Sequence, residues 1–184
     1  KLLFILLLST IFGCIDNEEI ELWGECYNIQ ETLILDLSNN GLSGEIPEEI
    51  GGLTNLIELN LSLNELSGEI PIQLCNLVDL TSLNLNNNEL SDQIPSQIGN
   101  LINLEYLFLY SNYLEGEIPS QIGNLINLLR LDLHNNQLEG EIPIQIGNLN
   151  NLQKLFLYSN ELSGQIPNEL ENITSLVSLN LYNN

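Results

Sequence analysis

The chain has 184 residues, with 25 Asp and Glu against 3 Lys and Arg, and carries a formal net charge of -22 at pH 7. Nucleic acid and anionic membrane surfaces are held by clustered Lys and Arg, so a chain offering only Lys1, Arg130 and Lys154 argues against both kinds of partner. At 43% hydrophobic it still has enough apolar residues to bury a core, and its length suits one domain.

From the N-terminus, Lys1 and the apolar run from Leu2 to Phe12 come first. The run is too short for a bilayer core of roughly 30 Å, which needs about 20 residues. It reads as the h-region of a signal peptide over residues 1–13, with Gly13 as the small residue at the cleavage point and an acidic stretch, Asp16 to Glu21, beyond it. The chain contains no Met, which fits a trimmed start. The segment Ile11-Phe12-Gly13-Cys14 also resembles a bacterial lipobox, which would lipidate Cys14 and anchor it to a membrane. The other reading of Cys14 is a disulfide with Cys26, as an oxidising compartment favours. Either reading places the protein in an extracellular or cell-surface location.

A fixed period of 24 residues governs the rest, with units beginning at Ile29, Leu53, Leu77, Leu101, Leu125 and Leu149 and a truncated seventh at Ile173. The segment LINLEYLFLYSNYLEGEIPSQIGN, Leu101 to Asn124, is representative, and all 6 prolines share one slot, from Pro47 to Pro167. The alternation Leu107-Phe108-Leu109 predicts a short strand with its leucines on one face. One unit cannot bury that face alone, so the copies must stack, each strand about 4.8 Å from the next, into a parallel solenoid. The asparagines recurring from Asn40 to Asn184 fall where each strand ends, and an amide there can satisfy both donors and acceptors of the turning backbone. Gly44, Gly68, Gly116, Gly140 and Gly164 follow, a column that Asp92 interrupts. The Ile-Pro pairs after them predict an irregular or short extended outer segment rather than a long helix.

With L-x-G-x-I-P in this setting, as in Leu114 to Pro119, residues 29–184 resemble the leucine-rich repeat proteins of the plant-type 24-residue class. The resemblance implies an α/β-type leucine-rich repeat solenoid, mostly β and irregular, with a curved parallel sheet on the concave face and short 3-10 or extended segments on the convex face. It further implies an extracellular ligand-binding or co-receptor module, or a secreted or surface-anchored bacterial protein. Trp23-Gly24-Glu25-Cys26 looks like the end of that family's N-terminal cap, which makes residues 14–28 the cap region. Asn184 falls inside a repeat, so the chain is expected to be part of a longer one, and attachment to a membrane would come only through lipid at Cys14 or through a later segment.

Function is then expected in strand positions that point away from the leucine core. Units one to three present mostly small polar groups there, whereas units four to six gather Tyr106, Phe108, Tyr110, Arg130, Asp132, His134, Lys154, Phe156 and Tyr158 on neighbouring strands. Exposed aromatic and Arg side chains together have the composition of an interface hot spot, and a wide curved sheet suits a protein or peptide ligand better than a small molecule. A glycan stacking on the rings, and a structural or adhesive array in which the aromatics stabilise one another across strands with Arg130 over a ring, are the competing readings.

Other chemistry is sparse. His134 with Asp132 lacks a nucleophile or catalytic frame, so no enzymatic role is expected. Cys14, Cys26 and Cys75 with one His lack metal-ligand spacing, and neither a metal site nor any cofactor is expected. Cys75 replaces a glycine and reads as a small buried thiol. The column Glu45, Glu69, Glu117 and Glu141 reads as a solvated face with at most weak divalent-cation binding. Asn60 and Asn172 stand in glycosylation sequons.

Overall fold

The computed structural model describes residues 13–184, so the signal-peptide expectation lies, apart from Gly13, outside the described residues. An antiparallel hairpin comes first, β1 (Glu19–Leu22) with β2 (Glu25–Asn28), tied by a disulfide between Cys14 and Cys26. The disulfide occupies the Cys14 sulfur, the same atom that a lipid thioether would need.

Each full unit then lays down one strand of an inner sheet and one strand on its flank. In chain order these are β3 (Ile34–Asp36) and β4 (Ser43–Glu45), β5 (Glu58–Asn60) and β6 (Glu65–Gly68), β7 (Ser82–Asn84) and β8 (Glu89–Leu90), and β9 (Tyr106–Phe108) and β10 (Glu115–Glu117). They continue with β11 (Arg130–Asp132) and β12 (Gln137–Glu141), β13 (Lys154–Phe156) and β14 (Glu161–Ser163), and end at β15 (Ser178–Asn180). The odd-numbered strands from β3 to β15 form one seven-stranded parallel sheet in sequence order. Its register pairs every residue with the one 24 positions on, as in Tyr106 with Arg130 and Arg130 with Lys154. The period-2 alternation therefore puts Leu107, Leu109, Leu131 and Leu133 inside at 0% exposure. Burying each such side chain is worth about 2 kcal/mol relative to exposure.

The outer side is built by the prolines. Each one stands just before a five-residue 3-10 turn with φ between -60 and -65, the angle its ring imposes. Those turns, such as Ser120–Asn124, are the only helical elements among the described residues; the first five each drop one aliphatic residue (Ile50, Leu74, Ile98, Ile122, Ile146) into the core, and in the sixth Leu170 is only partly buried against it. The turns stack closely because their penultimate residue is usually glycine: a Cβ on Gly99 would lie 2.6 Å from the Gln121 carbonyl oxygen of the next unit. Cys75 stands in that column, and its turn, Ile72–Asn76, packs less closely on the following turn, Ser96–Asn100, than any other adjacent pair does.

The asparagine column works as expected. In the interior units the side-chain amide donates to two leucine carbonyls, one in its own unit and one in the unit before, while its oxygen accepts from the flank backbone of the preceding unit. Immediately before it lies a column with φ near +55 that contains Asn39, Asn87, Ser111, Asn135 and Ser159 but also Leu63. A branched apolar side chain in the left-handed region costs about 1–2 kcal/mol, and Leu63 is 55% exposed, so it recovers little of that by burial. Leu63→Asn should raise the stability by about 1 kcal/mol, seen as a higher urea midpoint at unchanged m-value.

Burial raises the Cys75 thiol from 9.0 to about 11. Its contribution to stability is fully present below pH 9 and is lost as pH rises towards 11, because in that window the unfolded thiol ionises while the folded one holds its proton. The loss should run at about 1.4 kcal/mol per pH unit. Urea titrations at several alkaline pH values check this, and the extra slope should vanish in Cys75→Ala.

Candidate functional site

Strands β9, β11 and β13 present a three-by-three grid on the concave face: Tyr106, Phe108, Tyr110; Arg130, Asp132, His134; Lys154, Phe156, Tyr158. All nine candidate ligand-binding residues are thereby brought together, because the parallel register stacks equal positions of successive units. Their burial differs from the expectation in one respect: Asp132 was expected on the open surface and is 0% exposed. The side chains on either side of it in sequence explain the difference. The Arg130 guanidinium donates to Asp132 at 2.7 Å, and His134 Nδ1 bonds its other carboxylate oxygen, so the two fold over it from both ends.

The same short-range pattern, a carboxylate or amide bonded by the residue two positions on, occurs at Asp36 with Ser38, Asn60 with Ser62 and Asn84 with Asn86. At Asp36 the Ser38 hydroxyl and amide hold the carboxyl below its ordinary value. Units four and six cannot form it, because Phe108 and Phe156 occupy that position. Those rings instead flank Asp132 and accept the Arg130 guanidinium, 4.9 Å from the Phe108 centroid and 5.3 Å from the Phe156 centroid. In the next column His134 is stacked between Tyr110 at 4.4 Å and Tyr158 at 4.2 Å. Cross-strand stacking and a hot-spot composition are thus both present at the same place. Arg130 keeps 32% side-chain exposure, and its buried Nε lacks a hydrogen-bond partner. Lys154 is exposed at the grid edge.

The remaining candidates lie apart from the grid. Glu45, Glu117 and Glu141 lay their stems over the glycine of the next unit: a Cβ on Gly164 would meet Glu141 Cγ at 2.8 Å, and one on Gly140 would meet Glu117 Cγ at 2.9 Å. Part of the acidic column is thus a packing device. Asn60 lies half-buried on the concave sheet with its oxygen occupied by Ser62, whereas Asn172 is exposed at the end of a convex turn. Cys14, Glu19 and Cys26 bring ligand-type atoms within 4.8 Å of one another, but both sulfurs are spent in the disulfide. A groove of 910 Å³ runs along the flank past Glu117, Glu139 and Pro143, away from the grid, and is open to solvent. The burial of Asp132 could not be read from the sequence column alone, although the Arg-x-Asp-x-His spacing was the available signal.

The family described as "Leucine-rich repeat region" matches residues 86–184, and "Leucine Rich Repeat" matches 33–53 and 55–77. No curated protein matches the chain. Among solved structures, the plant peptide hormone receptor RGFR1 in complex with RGF2 is 45% identical with a TM-score of 0.76, over 77% of this chain and 23% of that one. The BIR2 ectodomain from Arabidopsis thaliana is 37% identical with a TM-score of 0.66, over 77% of this chain and 71% of that one. A leucine-rich repeat protein of Leptospira interrogans is 42% identical with a TM-score of 0.70, over 84% of this chain and 38% of that one. The chain therefore spans less than a quarter of the hormone receptor it matches.

Proposed function

The chain belongs to the leucine-rich repeat family, and from that premise we propose that it is a non-catalytic recognition module, extracellular or at the cell surface, that binds a protein or peptide through the concave grid of β9, β11 and β13. The observation that carries this reading is the concentration of unlike chemistry in one place. Apart from Lys1, the only Lys and Arg of a chain with 25 acidic residues are Arg130 and Lys154, and they stand side by side among five aromatic rings. The similarity to a plant peptide hormone receptor in complex with RGF2 supports the same ligand class.

The grid is also pre-organised. Asp132 beneath it fixes Arg130 and His134, so little side-chain entropy remains to be lost when a ligand docks. A glycan fits less well, because stacking on a sugar needs free ring faces, and His134 already covers one face each of Tyr110 and Tyr158. A plain spacer or adhesive array would not need units four to six to differ from units one to three.

The test is selection of a displayed random 12-residue peptide library on the full chain, followed by the variant with Phe108, Tyr110, Phe156 and Tyr158 all replaced by Ala. Enriched peptides should lose at least tenfold in affinity for the variant while its circular dichroism stays native. Absence of any enriched peptide, or full retention of binding by the folded variant, would overturn the proposal.

A further inference from the structure

A groove of about 640 Å³ follows the edge at which the concave strands begin, past Leu33 and Ile57 and then Asp79, Thr81 and Glu105. One column of the repeat runs along it. Asn55, Asn103, Asn127 and Asn151 each donate a side-chain amide proton to a carbonyl of the preceding unit, Gln30, Val78, Ile102 and Ile126 in turn, at 2.9 to 3.1 Å. Asp79 takes that place in unit three, and a carboxylate has no proton to give. Among the described residues nothing donates to the Thr54 carbonyl, which is the one an asparagine there would reach. Asp79 itself is exposed, so two acceptors are left open where other units hold a closed bond. Glu105 brings a second carboxylate in the next unit, and the Thr81 hydroxyl spends its proton on the Ile57 carbonyl at 3.2 Å. None of the described residues lining the groove is basic.

The borders are apolar. Leu33 and Ile57 are 47% and 38% exposed at one end. Immediately before Asp79, Asn103 and Asn127 stand Val78, Ile102 and Ile126, each about half exposed, where units two, six and seven carry Thr54, Asn150 and Thr174. Large aliphatic side chains left in water on three successive units form the kind of patch that a partner covers.

We propose that this edge groove is a second binding site, separate from the concave grid, and that it takes a basic peptide segment in which Arg or Lys stands between aliphatic residues. The cationic head meets the Asp79 carboxylate and the open Thr54 carbonyl, with Glu105 adding charge from the next unit. Guanidinium suits this place best, because its several donors can serve a carboxylate and a carbonyl together. The flanking aliphatic residues cover Leu33 and Ile57 on one side and the Val78, Ile102 and Ile126 ridge on the other. The groove is opposite in sign to the grid it borders, where Arg130 and Lys154 stand side by side, so the two surfaces select different ligands.

The test is an NMR titration of the isotope-labelled full chain with a blocked hexapeptide of alternating leucine and arginine, in about 150 mM salt so that long-range attraction is screened. The Thr81 and Glu105 amides should shift saturably. Asp79→Asn completes the asparagine column and so keeps the fold, and it should weaken binding about tenfold. Glu171→Gln removes the same charge from an exposed convex turn of unit six and should leave the affinity unchanged, as should the variant with Phe108, Tyr110, Phe156 and Tyr158 replaced by Ala. Absence of saturable shifts at Thr81 and Glu105, or undiminished binding by Asp79→Asn, would overturn the site. Equal weakening by Glu171→Gln would show attraction to the net charge alone, and loss in the four-alanine variant would place the peptide on the grid; either result also overturns it.

Discussion

Asn112→Ala is expected to cost about 3 kcal/mol of stability and to lower Tm by roughly 6–12 °C. Asn112 is 6% exposed; its amide donates to the Leu85 and Leu109 carbonyls at 3.0 Å each, and its oxygen accepts from the Leu90 amide at 3.1 Å. Each of those carbonyls also accepts from a neighbouring ladder residue, Asn88 for Leu85 and Asn136 for Leu109, so the substitution leaves them half-served rather than bare. The Leu90 amide loses its partner outright inside the protein, which costs about 1–3 kcal/mol, and the weakened carbonyl bonds and the small void add the rest. At the end of the ladder Asn184 makes the equivalent donations to Leu157 and Leu181 but is exposed, so water can replace it. Asn184→Ala should therefore cost well under 1 kcal/mol. Urea unfolding of the two variants beside the parent checks the prediction, and equal losses would show that the ladder is not what the buried asparagines supply.

Gly123→Ala should destabilise by about 2–3 kcal/mol even though its backbone angle is open to any residue. The added methyl would stand 2.7 Å from Gln145 Cβ and closer still to the Gln145 carbonyl oxygen of the next convex turn. Backbone cannot move aside as a flexible side-chain end can, so the turn Ser120–Asn124 must stand off from Ile144–Asn148. Gly52→Ala is the internal control. Its Cβ would meet Ile20 Cγ2 at 3.5 Å, an ordinary contact, and the reduced freedom of the unfolded chain should leave stability unchanged or slightly higher. Thermal melts of both variants decide the matter: similar losses would mean that helix-turn propensity, and not close stacking, selects glycine in these turns.

The period of 24 carried most of the architecture. Strand positions, the inward leucines, the structural role of the asparagines and the proline-led outer turns could all be read from the sequence, because in a solenoid every contact is with the same position one unit away. A column of the alignment is therefore already a line of neighbours in space, which is also why Tyr106, Arg130 and Lys154 could be placed side by side. The positive φ of Leu63 was not legible, because an exposed leucine in a polar turn carries no signal of it.

What the sequence determined by itself was thus the stacking and the membership of the concave surface, since both follow from periodicity and from burying leucine. The tertiary structure decided how the unlike residues resolve among themselves. Asp132 disappears beneath Arg130 and His134, the two tyrosines close on the histidine, and Cys75 loosens the stacking of one pair of outer turns. These outcomes depend on side-chain reach and on spacings of a few tenths of an ångström between adjacent units, and a repeat pattern specifies which residues meet without specifying how closely.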